Sequence, residues 1–97
     1  MDSIKLLSEF FLAIEKDARI NAVHIGVYAA LLHAWSQHGF IDPLSAYSRE
    51  IMQIAKISAQ ATYHAKLKDL HAFGYIHYEP SFNRNKPSKV FLLNSKS

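Results

Sequence analysis

Cysteine is absent from the 97 residues of this chain. Its absence excludes a disulfide framework, a thiolate metal site and a cysteine nucleophile, and it fits the reducing conditions of the cytoplasm. Glycine is also scarce, with three residues in all, and they form no glycine-rich phosphate-binding loop. These two absences remove several common classes of enzyme site.

Long apolar runs are missing as well. Glu9 interrupts the first apolar segment, so the sequence predicts neither a signal peptide nor a membrane-spanning helix. The apolar share of 49% and the charged share of 20% are typical of a folded globular chain. We therefore expect a single domain over residues 1–97, a cytoplasmic location and no membrane partner.

Six histidines are the residues that most invite a chemical interpretation. No two of them have the i, i+4 spacing of a helical zinc site, and no cysteine is present to complete one. The sequence also shows no nearby pair of carboxylates and no serine nucleophile elbow. We expect no metal, no cofactor and no catalytic residue, and hence a binding protein and not an enzyme.

Charge is divided unevenly along the chain. Residues 1–48 carry three basic and five acidic side chains, a net charge of −2, whereas residues 49–97 carry eight and three, a net charge of +5. A cationic half of this kind favours contact with a polyanion such as nucleic acid. Mildly basic surfaces are also common in unrelated proteins, so charge alone leaves the question open.

Helical periodicity predicts four helices, over residues 3–17, 22–38, 49–55 and 59–73. Asn21, Ser48 and Ser58 are the expected N-cap residues of the last three helices. Gly39 and Gly74 are the expected stops after the second and the fourth.

The remaining segments predict a small sheet. Residues 75–79 and 89–93 are typical of two strands, joined by a loop of about nine residues rich in proline and asparagine. Residues 39–47 contain Asp-Pro and predict a turn followed by a short extended piece. The expected fold class is α+β, mainly α with a small β-hairpin.

Residues 48–76 read SREIMQIAKISAQATYHAKLKDLHAFGYI. The stretch combines an apolar-Ser turn at Ile57-Ser58, a Leu67-x-x-Leu70 pattern and a Gly74-Tyr75-Ile76 exit. It resembles the winged helix-turn-helix superfamily, in particular short bacterial regulators and mobile-element or replication-initiation proteins, over about residues 21–93. Two features depart from the common pattern: the spacing from Ser58 to Leu67 is one residue longer, and the helix at residues 3–17 is additional.

The resemblance implies a fold of about four helices with a two- or three-stranded wing sheet. The helix-turn-helix would span residues 49–73 and the wing hairpin residues 75–93. It further implies binding to double-stranded DNA, with the helix at 59–73 in the major groove and the wing at 80–89 on the backbone or in the minor groove. Such a protein would regulate transcription or assist a mobile element.

A helical wheel separates the two sides of the helix at 59–73. Tyr63, Leu67 and Leu70 form one stripe and are expected to pack inward. The opposite side contains Ala61, Ala65, Lys68 and Ala72. Small residues there would allow a close approach to DNA, although alanine also simply favours helix formation. A third possibility is that this smooth face docks another helix.

The candidate DNA-contacting residues combine this outer side with the cations of the wing. Gln60 has the geometry to pair with an adenine edge and Thr62 to touch a thymine methyl group, whereas no arginine in this helix could read guanine. Wing cations suit phosphates or a narrow minor groove, unless the loop is merely a solvated basic loop. The full set is Ser58, Gln60, Ala61, Thr62, His64, Ala65, Lys68, Arg84, Lys86 and Lys89.

Three further expectations concern packing and partners. Phe82 is expected to pack beneath the wing loop, with exposure to solvent as the alternative. The broad apolar arc of the helix at 3–17 predicts either a homodimer or packing against the helix at 22–38. The alternative function is a protein–protein adaptor that uses the same fold without DNA and docks a partner on its alanine face.

Overall fold

The computed structural model describes residues 3–82 and 86–92. Over these residues the chain forms four helices and three strands. The helices are α1 (Ser3–Ile14), α2 (Ala22–Gln37), α3 (Ser48–Ala55) and α4 (Gln60–Ala72), and the strands are β1 (Leu44–Ala46), β2 (Ile76–Glu79) and β3 (Ser88–Leu92). The predicted α+β class, with four helices and a small sheet, is confirmed. The order of the elements is consistent with a winged-helix-like layout.

The sheet is antiparallel, and β3 lies between β1 and β2. Val90 at its centre faces Leu44 on one side and Tyr78 on the other. Leu44, Ile76 and Val90 are buried, so one face of the sheet closes the core below the helices. The short extended piece predicted within residues 39–47 is β1, and it makes the sheet three-stranded.

Helix α2 lies at the centre of the core and is buried on most of its circumference. Its first turn is held by a capping box in which the Asn21 side chain accepts from the backbone N–H groups of Val23 and His24. The His24 ring completes the box, because its Nδ1 accepts a hydrogen bond from the backbone N–H of Asn21 at 3.0 Å. The predicted cap at Asn21 is confirmed. Gly39 follows the helix with φ +79°.

Helix α1 is shorter than predicted and ends at Ile14 instead of residue 17. The chain turns there because the Asp17 side chain accepts from the backbone amide of Arg19 at 3.1 Å. Leu6 and Phe10 are buried, and the Phe10 ring stacks on Tyr28 of α2 at 3.9 Å. Part of the apolar arc therefore packs within the molecule, as one of the two predictions for this helix required.

Two predicted caps are wrong. Helix α4 has Ala59 and not Ser58 at its N-cap, and α3 has Tyr47 there while Ser48 is its first residue. The reason for the first error is the turn that ends α3. Lys56 adopts the left-handed conformation at φ +63°, and the next three residues are neither helix nor strand, which delays the start of α4 by one residue.

Candidate nucleic-acid interface

Helix α4 is fixed to the core along one side. Tyr63, Leu67 and Leu70 are buried, as the helical wheel predicted, and burial raises the pKa of the Tyr63 phenol. This anchoring determines which residues point to solvent. The exposed residues are Gln60, Ala61, Thr62, Ala65, Lys68, His71 and Ala72. The outer face therefore carries alanines and polar side chains, with the partly exposed carboxylate of Asp69 beside it.

The one carboxylate of α4 is bound by a buried histidine. His24 is 2% exposed, and its Nε2–H donates to Asp69 Oδ2 at 2.8 Å, while its Nδ1 is occupied by the capping box. Asp69 is half-buried, with 41% of its side chain exposed. The bond ties the start of α2 to the last turns of α4 and fixes the orientation of the Asp69 carboxylate.

Glu50, the one carboxylate of α3, also accepts a hydrogen bond from a histidine. His38, just after α2, donates from Nε2 to Glu50 Oε2 at 3.0 Å. Within residues 3–82 and 86–92, by contrast, no ion pair joins a carboxylate to the cations of this segment, Arg49, Lys56, Lys66 and Lys68. The helix-turn-helix segment therefore presents its positive charges unneutralised and both of its negative charges hydrogen-bonded.

A groove of about 1020 Å³ separates the helix-turn-helix segment from the wing. One wall consists of the first turns of α3 and α4, and the other consists of residues at the two ends of the wing loop. The candidates Ser58, Gln60, His64 and Lys86 all line it. Arg49 lines it as well, so the groove holds a cation on each side.

Both helices that open onto the groove begin without a side-chain cap. Ser48 and Arg49 of α3 line the groove, as does Gln60 of α4. The first amides of a helix carry unsatisfied N–H groups and the positive end of the helix dipole. Together with Arg49 and Lys86, these two helix ends favour anionic groups such as phosphates, and they are opposed by Glu50, which lines the groove and accepts a hydrogen bond from His38.

The wing connects β2 to β3. The Ser81 amide donates to Ser88 Oγ at 3.3 Å and closes the base of the loop. Lys86 and Lys89 are exposed. Lys89 lies on β3 opposite Glu79, outside the groove, and Arg84 lies outside the described residues.

The prediction that Phe82 packs beneath the wing loop is wrong, because its side chain is 98% exposed. The space below the sheet is already filled by Leu44, Ile76 and Val90, which are buried. The closed base of the loop therefore leaves Phe82 outside the core, on the solvent side of the wing.

The other candidates lie on the outer face of α4 and not in the groove. Ala61, Thr62, Ala65 and Lys68 are exposed, but none of them lines the cavity. Apart from Lys89 on β3 and Arg84, which is outside the described residues, the predicted contact residues lie on two adjoining surfaces: the groove and the outer face of α4. Gln60 belongs to both, since it is exposed and also lines the groove.

A charged cluster fixes the exit of α4 to the loop after α1. Arg19 donates to both oxygens of Asp17 at 2.8 Å, and Tyr75 Oη–H donates to Asp17 Oδ2 at 2.5 Å. The Arg19 guanidinium also lies 3.8 Å from the centre of the Phe73 ring. The bonds from Arg19 and Tyr75 hold the pKa of Asp17 well below its usual range. Burial and the bond to Asp17 raise the pKa of Tyr75 to about 12.

The described residues contain no group of three or more histidine, aspartate or glutamate side chains arranged to hold a metal ion. No helix in this part of the chain has the length and apolar character needed to cross a membrane.

Comparison with known proteins finds no matching family model, no similar curated protein and no similar solved structure.

Sequence reasoning missed two contributors to the interface. Arg49 lines the groove, and its place directly after Ser48 in the first turn of α3 was the available signal. The pairing of His24 with Asp69 spans 45 residues and had no local signal.

Proposed function

We propose that this protein binds double-stranded DNA. Helix α4 enters the major groove, and the wing at residues 80–89 lies on the adjacent backbone or minor groove. The observation that carries the proposal is the groove between α4 and the wing, which combines Arg49, Lys86 and two uncapped helix N-termini. A phosphate backbone that leaves the major groove beside α4 would pass along it.

The outer face of α4 suits the same ligand. Ala61 and Ala65 are exposed and short, so the helix axis can approach the floor of a major groove closely. Lys68 reaches beyond them towards a phosphate. The hydrogen bond from His24 to Asp69 supports this arrangement, because it engages the carboxylate next to Lys68.

Base recognition would rest on few side chains. Gln60 at the start of α4 would pair with an adenine edge, and Thr62 would contact a thymine methyl group. The helix has no arginine for guanine. We therefore propose a modest direct sequence preference on top of a strong phosphate contribution. The proposed role is transcriptional regulation or assistance to a mobile element, in the cytoplasm.

We also propose that two copies pair through α1. Ile4, Phe11 and Leu12 lie on one side of this helix at spacings of seven and eight residues, and Leu12 is 66% exposed. Ser8 lies between them and is small enough to allow two helices to cross closely. A dimer would present two copies of α4, and the second contact would raise the affinity for DNA.

The competing function is that of a protein–protein adaptor. It is favoured by the exposed row of Ala61, Ala65 and Ala72, which a partner helix could cover. The two functions differ in their dependence on charge. Reversal of Lys68, Arg84 and Lys86 to glutamate abolishes binding to DNA, whereas an adaptor keeps its protein partner.

The direct test of the groove is the double variant R49E/K86E. We expect it to bind a fluorescein-labelled, mixed-sequence duplex roughly 100-fold more weakly than the wild type at low salt, by fluorescence anisotropy. The matched control for each single reversal is K16E, which reverses an exposed charge in the turn after α1 and should bind normally. Equal binding by R49E/K86E and the wild type would exclude the groove as the interface.

A further inference from the structure

Phe82 is the most exposed large apolar residue in the described part of the chain, at 98%. Isolated apolar side chains are common on protein surfaces, but a phenyl ring with almost no protein contact gains nothing from folding. The other large apolar residues that are more than half exposed lie in α1, in the loop after α2 and just before α3: Ile4, Leu12, Ile41 and Tyr47. Phe82 therefore has to be understood together with the wing.

The position of Phe82 relates it to the groove. Its neighbour Ser81 and the cation Lys86 both line the groove, and Ser81 closes the base of the wing loop through its bond to Ser88. Phe82 itself does not line the groove; it follows Ser81 directly in the chain, beyond the closed base of the loop. Pro80 precedes this segment and restricts its backbone.

We propose that Phe82 is a wedge that inserts between neighbouring base pairs of duplex DNA from the minor groove. The inference rests on the proposed function, which places the wing at that groove. An apolar side chain inserted in this way partly unstacks one base step and kinks the duplex. The phenyl face then stacks on a base, which compensates part of the stacking that the step loses.

The wedge adds a second kind of sequence preference to that of α4. Pyrimidine–purine steps unstack and kink more easily than other steps, so they would be preferred at the position of Phe82. This preference needs no hydrogen bond to a base. It also predicts that DNA whose stacking is already weakened binds more tightly than fully paired DNA.

The test compares two labelled duplexes of the same length and flanking sequence, one fully paired and one with a central two-base mismatch. Binding is measured by fluorescence anisotropy. We expect the wild type to bind the mismatched duplex roughly tenfold more tightly, because part of the unstacking cost is already met. F82A should lose this preference, and F82L should keep part of it, since leucine also serves as a wedge.

The matched control is I41A, which shortens an exposed apolar side chain in the loop after α2 and should keep the wild-type preference. Equal binding of the two duplexes by the wild type, or an unchanged preference in F82A, would overturn the wedge and leave DNA binding intact. Absence of binding to either duplex at low salt would instead overturn the proposed function, and the wedge with it.

Discussion

Helices α1 and α4 both bury one side against the core but differ on the side that faces solvent. Helix α1 buries Leu6 and Phe10 and leaves Phe11 and Leu12 exposed. Helix α4 exposes no large apolar residue: its solvent side consists of alanines, polar residues and Lys68. This difference is why we propose two kinds of partner, an apolar protein surface for α1 and a hydrated polyanion for α4.

The carboxylates near the two helices differ in a similar way. Around α4, Asp69 and Glu50 each accept a hydrogen bond from a histidine of the α2 region. Near α1, Asp17 is held by Arg19 and Tyr75 and has a structural role. Residues 48–73 carry four basic side chains against these two carboxylates, so the surface proposed to bind DNA has an excess of positive charge.

The largest expected effect concerns α1. F11S/L12S should convert the proposed dimer into a monomer, because it removes four large apolar side chains from the contact, two from each copy. Burial of one such side chain contributes about 1.5–3 kcal/mol to the free energy of association. The dissociation constant should therefore rise by roughly 1000-fold or more, as measured by sedimentation equilibrium.

The control for this pair is I41S, which makes the same kind of change at an exposed position outside α1 and should leave the dimer intact. A wild type that stays monomeric at high concentration would contradict the assignment of α1 as a dimer helix. The exposed apolar side of α1 would then need a partner other than a second copy of the chain.

A smaller effect is expected on the outer face of α4. A65L adds bulk where close approach is proposed, and leucine is nearly as good a helix former as alanine, so folding should be unaffected. Affinity for duplex DNA should fall roughly tenfold, the cost of losing one close base contact. The control is A22L at the exposed start of α2. Wild-type affinity in A65L would mean that the alanines serve helix formation alone.

The smallest expected effect concerns the cluster at the exit of α4. D17N should lower the melting temperature at neutral pH by a few degrees, since it removes the charge that Arg19 and Tyr75 bind. Arg19 is 58% exposed, and solvent screens much of the interaction. E15Q is the control, because Glu15 is exposed and close in sequence.

The stabilisation by Asp17 should decrease as the pH falls. The folded state lowers the pKa of Asp17 below its unfolded value of about 3.9. The stabilisation is therefore fully present above that pH, and it disappears as the pH falls through the folded pKa. The melting temperatures of D17N and the wild type should converge in acid. A difference that stays constant or grows as the pH falls from neutral towards the folded pKa would show that Asp17 does not act through its charge.

Much of the fold could be predicted from local sequence patterns. The inward stripe of Tyr63, Leu67 and Leu70 and the cap at Asn21 follow from helical spacing and residue type, and both are confirmed. Strands β2 and β3 were predicted from their alternating or continuous apolar residues and from the turn residues between them. Patterns of this kind depend on neighbours within a few residues, which is why a single sequence reveals them.

The wrong and missed predictions concern features that depend on contacts between residues distant in the sequence. Ser58 has the chemistry of a cap, but the left-handed turn at Lys56 shifts the start of α4 to the next residue. Phe82 looks like a core residue, but the space beneath the sheet is already filled by others. The pairs His24–Asp69 and Tyr75–Asp17 join residues more than forty positions apart, and nothing local predicts them.

The most direct test of DNA binding is a salt titration of the wild-type protein with a labelled, mixed-sequence duplex, followed by fluorescence anisotropy. Neutralisation of four or five phosphates by Arg49, Lys68, Lys86 and their neighbours predicts a slope of roughly −4 in a plot of log affinity against log salt. That slope would establish the contact with a polyanion. Absence of binding at low salt, or a slope near zero, would contradict it and favour the adaptor.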